Sequence, residues 1–283
     1  MKILITGSSG NIGKELVKKL NGHELHLWDI KDGFDIAEAP LSQTINMVKP
    51  EIVYHLAATF ERTKETPEAF GHIWNNDTLA SHRLIEAVVN CDSVKTFVFA
   101  SSYLIYELQY MSKLKEDFPI MPRNLCGYSK LYTEKELNFV STYLKPGLKV
   151  INARIFRVYG PGGKEVISRW CKYKQYGAKA DVFNKENSFD FIHSRDVAEG
   201  LLRLSECEAG TYNLGTGVSH SIEEVLKLID IPYSELEPDL EYENSCADIT
   251  KLEKETGWKP EIGLADGIKE VLDFERKQKS KSG

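Results

Sequence analysis

The sequence predicts an α/β protein in which a doubly wound parallel sheet is followed by a smaller lobe of mixed structure. Short apolar runs alternate with segments of helical spacing as far as about residue 153, as they do in βαβ units. The run 97–100 is apolar at every position, which is typical of a parallel strand covered on both faces. After about residue 160 this alternation stops, and turn signals such as Gly160-Pro161-Gly162 separate short elements.

The predicted elements follow one another in a regular order. The apolar runs that we expect to form strands are residues 2–6, 24–30, 52–56, 96–100 and 148–153. The first helix is predicted over residues 12–20, and the spacing of Leu79, Leu84, Ile85 and Val88 predicts a later one. We therefore expect one domain over residues 1–160 and a second over residues 161–283, interleaved with the sheet of the first.

Composition limits the classes of protein that fit. The 283 residues are 42% hydrophobic and 28% charged, which is ordinary for a globular chain with a sizeable core. No segment approaches the roughly 18–20 apolar residues of a membrane helix, and the N-terminus lacks the pattern of a signal peptide. The net charge of −6 argues against a nucleic-acid partner. We expect a cytoplasmic protein with neither a membrane nor a nucleic-acid partner.

The cysteines are scattered and form no CxxC pair. An odd number of distant cysteines argues against both a disulfide framework and a metal site, so we expect reduced thiols and no bound metal. The five cysteines are Cys91, Cys126, Cys171, Cys207 and Cys246.

A glycine-rich turn follows the first predicted strand and opens the first predicted helix. Gly7 permits the turn, Gly10 lets backbone approach a pyrophosphate, and Gly13 allows close packing of helix and strand. The first helical residues, Asn11 and Ile12, offer free N–H groups to the phosphates. The alternative is an ordinary glycine turn without a ligand. The strand before the turn and the helix after it favour dinucleotide binding over that alternative. The turn therefore predicts a bound dinucleotide.

An acidic residue at the end of the second predicted strand selects the type of dinucleotide. Asp29 lies 16 residues beyond Gly13. Its carboxylate can accept hydrogen bonds from both ribose hydroxyls and would repel a 2′-phosphate. The alternative is an ordinary surface aspartate. We expect NAD rather than NADP.

The Gly-x-x-Gly-x-x-Gly spacing and several later segments resemble the short-chain dehydrogenase/reductase superfamily. The chain is most similar to the extended branch, the NAD-dependent epimerases and dehydratases that act on nucleotide-linked sugars. The resemblance covers nearly the whole chain and implies a Rossmann-type N-terminal domain and a C-terminal lobe that binds the nucleotide-sugar. The segments that carry it are 35–36, 55–58, 99–102 with Tyr106, 126–130, 154–162, 190–198, 212–217 and 248–260.

This resemblance assigns cofactor roles to particular residues. Asp35 and Ile36 would lie beside the adenine ring, and residues 56–58 would lie along the cofactor. Lys130 would hold the nicotinamide ribose. Helices of the N-terminal domain commonly pair into a four-helix bundle in this family, which implies a homodimer. Beyond the glycine turn and Asp29, the implied cofactor residues are Asp35, Ile36, Leu56, Ala57, Ala58, Ala100, Lys130 and Phe156.

The catalytic segment departs from the family pattern. Ser102 matches the family's catalytic hydroxyl and Lys130 its lysine, but Cys126 stands where the family has its acid–base tyrosine. Two helical positions rotate a side chain by roughly 200°, so Tyr128 would face the other way. Tyr103, next to Ser102, is a further candidate for the missing phenol.

Two interpretations of Cys126 stay open. A thiol has an ordinary pKa of about 8.5, which a nearby lysine lowers, so Cys126 is chemically able to exchange a proton. Its sulfur lies only one bond beyond Cβ, however, and a substrate placed for tyrosine would be out of its direct reach. In the second interpretation Cys126 merely fills space in a site that has lost its acid–base group.

Other positions narrow the chemistry that the resemblance implies. The dehydratases of the family carry an Asp-Glu pair where this chain has Tyr103 and Leu104, so dehydration is disfavoured. Tyr103 and Ser102 would face the substrate. Arg157, Arg169 and Lys172 are candidates for binding its phosphates, with ordinary surface charges as the alternative.

The leading hypothesis for function is an NAD-dependent nucleotide-sugar epimerase or keto-sugar reductase. Hydride transfer would occur at a sugar carbon, C4, with Ser102 on the reacting oxygen and Cys126 or water relaying the proton. The alternative is an NAD-binding pseudoenzyme with a sensing or scaffolding role. Replacing Cys126 with tyrosine distinguishes the two.

Overall fold

The computed structural model describes residues 1–59, 65–107, 113–236 and 243–282. Within these residues the chain forms two compact units. The first unit comprises residues 1–107, 117–155 and 201–212, and the second comprises residues 108–116, 156–200 and 213–283, in each case as far as they are described. Each unit thus contains chain segments that are distant in sequence.

Strands and helices alternate in the first half of the chain. The strands are β1 (Lys2–Thr6), β2 (Glu24–Trp28), β3 (Ile52–His55), β4 (Thr96–Ser102), β5 (Lys113–Leu114), β6 (Lys149–Ile155), β7 (Arg157–Tyr159), β8 (Ala180–Val182), β9 (Ser188–Phe189), β10 (Phe191–His193), β11 (Gly210–Leu214), β12 (His220–Ser221), β13 (Tyr233–Glu235) and β14 (Asn244–Ala247). The helices are α1 (Asn11–Lys19), α2 (Leu41–Val48), α3 (Pro67–Ile73), α4 (Ala80–Val89), α5 (Leu125–Phe139), α6 (Val166–Gln175), α7 (Ser194–Leu204), α8 (Ile222–Ile229), α9 (Thr250–Thr256) and α10 (Leu264–Ser282).

A six-stranded sheet organises the N-terminal half, with the strand order β11-β6-β4-β3-β1-β2. The neighbouring pairs from β2 to β6 are all parallel. Strand β2 lies on one side of β1, whereas β3, β4 and β6 follow on the other side. This change in the direction of strand addition is typical of a doubly wound sheet. This architecture confirms the predicted fold class, and each of the five strands predicted from apolar runs is present.

The core of the first unit lies between the sheet and its helices. Phe97, Val98 and Phe99 of β4 are at most 1% exposed, because helices cover both faces of the strand. Leu84 of α4 packs in the same core. Leu79 does not: it ends the π-helical turn Trp74–Leu79 before α4 and is exposed. The extra residue in that turn breaks the helical spacing on which the prediction rested.

The second unit has small sheets and its own core. β7 pairs in parallel with β10, β8 pairs with β13, and a four-stranded sheet has the order β12-β9-β14-β5. Apolar side chains of α6, α8 and α10 form one cluster with these strands. The buried Asp190 carboxylate accepts backbone hydrogen bonds from Thr216, Gly217 and Ala247. In the described residues, none of the helices combines the length and apolarity needed to cross a membrane.

Candidate active site

The glycine turn is tightly closed on itself. Gly7 has φ +71°, and a Cβ there would lie 2.7 Å from the Ala57 nitrogen. A Cβ at Gly13 would lie 2.2 Å from the Gly7 carbonyl oxygen and 2.7 Å from that of Ser8. Glycine is therefore needed at position 13 because the helix start lies directly against the carbonyls of the turn. The sequence had suggested a close contact between helix and strand instead. At Gly10, by contrast, a Cβ would meet only the Gly7 oxygen, at 3.1 Å.

The first turn of α1 has no side-chain cap among the residues that the structure describes. Gly10 is the N-cap residue, and no described side chain caps the N–H groups that follow it, which include those of Asn11 and Ile12. Such uncapped N–H groups, together with the positive end of the helix dipole, favour an anion. The hydroxyl oxygen of Ser8 is also buried and has no hydrogen-bond partner in the described structure.

Asp29 follows β2 directly, as predicted, and lies against the glycine turn. Its Oδ2 accepts a hydrogen bond from the Ser9 backbone N–H at 3.0 Å, and its Oδ1 accepts one from the Lys31 N–H at 3.0 Å. Carboxylate oxygens have further lone pairs available. The acidic group is thus fixed beside the turn that would hold the pyrophosphate.

The segment after β3 lies beside the glycine turn. The Leu56 N–H donates to the Thr6 carbonyl at 3.1 Å, and the Ala57 N–H donates to the Thr6 hydroxyl at 3.3 Å. The same hydroxyl is hydrogen-bonded to Nδ1 of His55 at 2.7 Å. Burial, followed by the Lys130 charge, lowers the pKa of His55 to about 3, so its ring is neutral. Ala58, the last residue of this predicted segment, is exposed.

The predicted adenine-side pair adopts a local turn. The Asp35 carboxylate accepts the Ala37 N–H at 2.8 Å, and Ile36 is buried in the core of the first unit. Arg83 on α4, which the sequence analysis did not single out, donates to the carbonyls of Ile36, Ala37 and Ala39. Arg83 therefore anchors this loop.

The end of β4 carries the predicted catalytic hydroxyl. Ser102 is partly exposed, and its Oγ accepts the Leu104 N–H at 3.2 Å. Ala100 and Tyr103 are buried. A Cβ at Gly127 of α5 would lie 2.4 Å from the Leu104 carbonyl oxygen. Glycine at that position brings the start of α5 against the turn that follows Ser102.

The N-terminal half of α5 holds the remaining predicted catalytic residues. Asn124 caps the helix by accepting the Gly127 N–H at 2.8 Å, so Cys126 lies in the first turn. Lys130 is 7% exposed, and its ammonium lies 4.8 Å from the centre of the Phe99 ring. Tyr128 is 60% exposed on the other side of the helix, as the helical rotation predicts.

The Cys126 thiol is harder to ionise than the sequence suggested. Burial raises its pKa; Lys130 opposes this shift, while the charges of Asp77 and Glu65 add to it. Lys130 does act to lower this pKa, as expected, but desolvation of the thiolate has the larger effect. The overall direction is therefore opposite to the one that the sequence suggested. The thiol is neutral at pH 7.

A buried charge network joins α5 to β4 and β6. Glu134 accepts hydrogen bonds from the Ser101 hydroxyl at 2.5 Å and from Nε and Nη2 of Arg154 at 3.1 and 2.9 Å. Arg154 also donates to the Tyr106 hydroxyl at 3.0 Å. Burial lowers the pKa of the guanidinium, but the pair with Glu134 raises it overall. Glu134 was not among the predicted site residues, although it lies one helical turn after Lys130.

Three predicted residues belong to the second unit. Phe156 is buried, and its N–H donates to the Leu214 carbonyl at 3.0 Å. The Arg157 guanidinium stacks over the Phe189 ring, 3.5 Å from its centre. Arg169 is exposed on α6. The Arg157 side chain is therefore held in place by an aromatic ring, whereas the Arg169 side chain is exposed.

The residues of the first unit fit a dinucleotide. The carboxyl ends of parallel strands bring together the glycine turn after β1, Asp29 after β2, residues 56–58 after β3 and Ser102 at the end of β4. Backbone atoms lie so close to Gly7 and Gly13 that neither position can carry a side chain. A carboxylate on the turn suits a ribose better than it suits a phosphate.

Comparisons with known proteins agree with this geometry. The family model described as the NAD dependent epimerase/dehydratase family matches residues 3–215. The chain is 26% identical to a UDP-glucose 4-epimerase of Mycolicibacterium smegmatis, over 98% of this chain and 99% of that protein. It is 28% identical to a GDP-6-deoxy-D-mannose reductase of Pseudomonas aeruginosa, over 96% of each chain.

Solved structures share the fold. The crystal structure of Thermus thermophilus UDP-glucose 4-epimerase in complex with NAD superimposes with a TM-score of 0.89 at 24% identity, covering 98% of this chain and 99% of that one. Because the family model spans most of the sequence, the chain belongs to the NAD dependent epimerase/dehydratase family.

Proposed function

We propose that this protein is an NAD-dependent nucleotide-sugar epimerase or keto-sugar reductase that acts at C4 of the sugar. The observation that carries the proposal is the grouping of the glycine turn, Asp29, Ser102 and Lys130 within one unit, at strand ends and on α5. Relatives named as a UDP-glucose 4-epimerase and a GDP-6-deoxy-D-mannose reductase support this substrate class.

Each candidate residue of the first unit has its own role in binding or catalysis. Ser102 donates a hydrogen bond to the reacting sugar oxygen, and Lys130 holds the nicotinamide ribose. The uncapped N-terminus of α1 binds the pyrophosphate, and Asp29 binds the adenine ribose, which favours NAD over NADP. NAD, when bound, supplies reversible two-electron oxidation of a sugar carbon.

We assign the sugar-nucleotide to the second unit, which begins its main segment at residue 156 rather than at the predicted 161 and leaves residues 201–212 to the first unit. Arg157 is the stronger candidate for its diphosphate, because stacking on Phe189 fixes the guanidinium before any ligand arrives. Arg169 is the weaker candidate, since its exposed side chain would lose more conformational entropy on binding.

A panel of nucleotide-sugars tests this function. The protein is incubated with NAD, NADH, NADP or NADPH and with UDP- and GDP-linked hexoses or 4-keto-sugars, and the products are separated by chromatography. We expect an inverted C4 centre without net change in the cofactor for an epimerase, or stoichiometric NADH oxidation for a reductase. Absence of both reactions, in a protein that binds NAD, would refute the enzymatic function.

One observation favours the alternative of an NAD-binding pseudoenzyme. Cys126 replaces the family's tyrosine, and its sulfur lies only one bond beyond Cβ, out of direct reach of a substrate placed for a phenol. If the site has lost its acid–base group, Cys126→Tyr creates or increases turnover. Under the enzymatic hypothesis the same substitution does not create activity that the native protein lacks.

We also propose a homodimer formed through an aromatic surface on α3, α5 and the π-helical turns Trp74–Leu79 and Val140–Leu144, which follow these two helices. Tyr128, Tyr132 and Phe139 lie within about 40° of one another around α5, and the Tyr132 ring lies 5.9 Å from that of Trp74. Contiguous exposed apolar side chains of this kind mark interaction surfaces. The aromatic surface comprises Phe70, Trp74, Leu79, Tyr128, Tyr132, Phe139 and Tyr143, each at least 44% exposed.

Tyr132→Glu is expected to convert the dimer into a monomer. A carboxylate in the middle of an apolar interface is desolvated without a partner, so the dimer dissociation constant should rise at least about 100-fold. Sedimentation velocity measures the change. Met47→Glu on α2, which is 73% exposed and outside the aromatic surface, is the matched control. A wild-type protein that sediments as a monomer at high concentration would contradict the proposal.

We propose that the protein works in the cytoplasm. The five cysteines are separate thiols in the structure, and Cys91, Cys171 and Cys246 are buried, which suits a reducing compartment. Titration of the thiols in the denatured protein, purified without reductant, tests this. Five reactive thiols per chain agree with the proposal, and a lower number points to oxidation.

A further inference from the structure

One guanidinium on α4 donates hydrogen bonds to three carbonyl groups of a single loop. Nη1 of Arg83 donates to the Ile36 carbonyl, at 3.2 Å, and to the Ala37 carbonyl. Its Nη2 donates to the Ala39 carbonyl, at 2.8 Å. A planar guanidinium with five N–H donors in fixed directions suits several acceptors at once. The path of the loop is therefore fixed by a side chain that is more than 40 residues away in sequence.

This loop, residues 35–39, carries the pair that is predicted to lie beside the adenine ring. The Asp35 carbonyl accepts the Ala39 N–H at 2.8 Å, and the Asp35 carboxylate accepts the Ala37 N–H, also at 2.8 Å. Asp35 is thus bonded to the same stretch of backbone that Arg83 holds. The direction in which its carboxylate points depends on that stretch, because two of its hydrogen bonds end there.

The start of α4 is a firm support for such a contact. The Ser81 hydroxyl is hydrogen-bonded to Nε2 of His55 at 2.8 Å, and both residues are buried. Leu84 of α4 packs in the core of the first unit, together with Leu41, which opens α2 directly after the loop. The first turn of α4 therefore contacts the 35–39 loop through Arg83. Through Ser81 it also contacts the end of β3, where the predicted cofactor segment 56–58 begins.

We propose that Arg83 is a positioning residue for the cofactor, which holds the 35–39 loop so that the Asp35 carboxylate accepts a hydrogen bond from the amino group of the adenine ring. The inference rests on the NAD site of the proposed function and not on the reaction at the sugar. Without the guanidinium, three carbonyls lose a charged donor and the loop can adopt other paths. Asp35 must then be ordered each time a dinucleotide binds, which weakens recognition of the base.

A base analogue distinguishes positioning from general stability. Nicotinamide hypoxanthine dinucleotide has an oxygen where NAD has the adenine amino group, so it presents an acceptor to the carboxylate instead of a donor. Titration calorimetry gives the dissociation constants of both dinucleotides. We expect the wild type to bind NAD at least about 10-fold more tightly than the analogue. In Arg83→Met, NAD affinity should fall at least about 10-fold, and the preference for NAD should fall to within about threefold.

Lys145→Met is the matched control. Nζ of Lys145 donates to the Val88 carbonyl at 2.9 Å and to the Cys91 carbonyl, so it too is a cation bonded to backbone carbonyls, at the C-terminal end of α4. We expect a similar fall in melting temperature in Lys145→Met and Arg83→Met. The NAD affinity and base preference of Lys145→Met should stay within about twofold of wild type. A lost preference in Lys145→Met would show that recognition follows stability alone, and would overturn the proposal.

Asp35→Asn tests whether Arg83 acts through this carboxylate. An amide can turn to accept from the amino group of adenine or to donate to the oxygen of hypoxanthine, so the preference should disappear. Adding Arg83→Met to this variant should cause no further loss of preference, because the two residues act as one unit. Equal affinity of the wild type for both dinucleotides, or a preference that persists in either single variant, would overturn the proposal. The expected pattern in a protein that converts no nucleotide-sugar would support the role of Arg83 while refuting the enzymatic function.

Discussion

Replacing Gly13 with alanine is expected to weaken NAD binding by at least about 10- to 100-fold, which corresponds to about 1–3 kcal/mol of overpacking. The new Cβ would lie 2.2 Å from the Gly7 carbonyl oxygen and 2.7 Å from that of Ser8. Both atoms are backbone, so the turn must open to make room. Titration calorimetry with NAD measures the effect.

Gly71→Ala is the matched control for this prediction. Gly71 lies within α3, in the same unit, and a Cβ there would meet nothing within 4 Å. We expect wild-type affinity for NAD and equal or slightly higher thermal stability, since alanine favours a helix. Undiminished NAD affinity in Gly13→Ala would contradict the assignment of the turn as the phosphate site.

Arg154→Met is expected to lower the free energy of unfolding by about 3–5 kcal/mol, because it leaves a buried carboxylate without its counter-charge. The two side chains of the pair, Arg154 and Glu134, are 5% and 3% exposed, so water cannot replace the lost guanidinium. Urea unfolding at neutral pH measures the loss.

The double variant Glu134→Gln/Arg154→Met isolates the interaction. Removing both charges avoids an unpaired buried ion, so the double variant should lose less stability than Arg154→Met alone or the sum of the two single changes. If the two losses instead simply add, the two buried charges are not energetically coupled.

Local sequence patterns predict where the candidate cofactor residues lie in the fold. The glycine turn, Asp29 and the segment 56–58 lie where strands end, and the order of strands in a parallel sheet brings such ends together. Ser102 and Lys130 were predicted from short segments that resemble those of the family. In each of these cases the information lies within a few consecutive residues.

The missed residues act over long sequence separations. Arg83 contacts carbonyls of residues 36–39, and Glu134 pairs with Arg154, so neither partner is visible in a local window. A charged residue on the buried face of α5, one turn after Lys130, was nevertheless an available signal for Glu134. The sign of the Cys126 shift was predicted wrongly because it depends on burial, which only the folded chain reveals.

The most direct test of the central claim is to identify what the purified protein holds and binds. The protein is denatured, the released small molecules are identified by mass spectrometry, and a second sample is titrated with NAD and with NADP. We expect released NAD or NADH, or tight binding of added NAD with much weaker binding of NADP. A protein that releases no dinucleotide and binds neither would contradict the assignment of an NAD site and the enzymatic function with it.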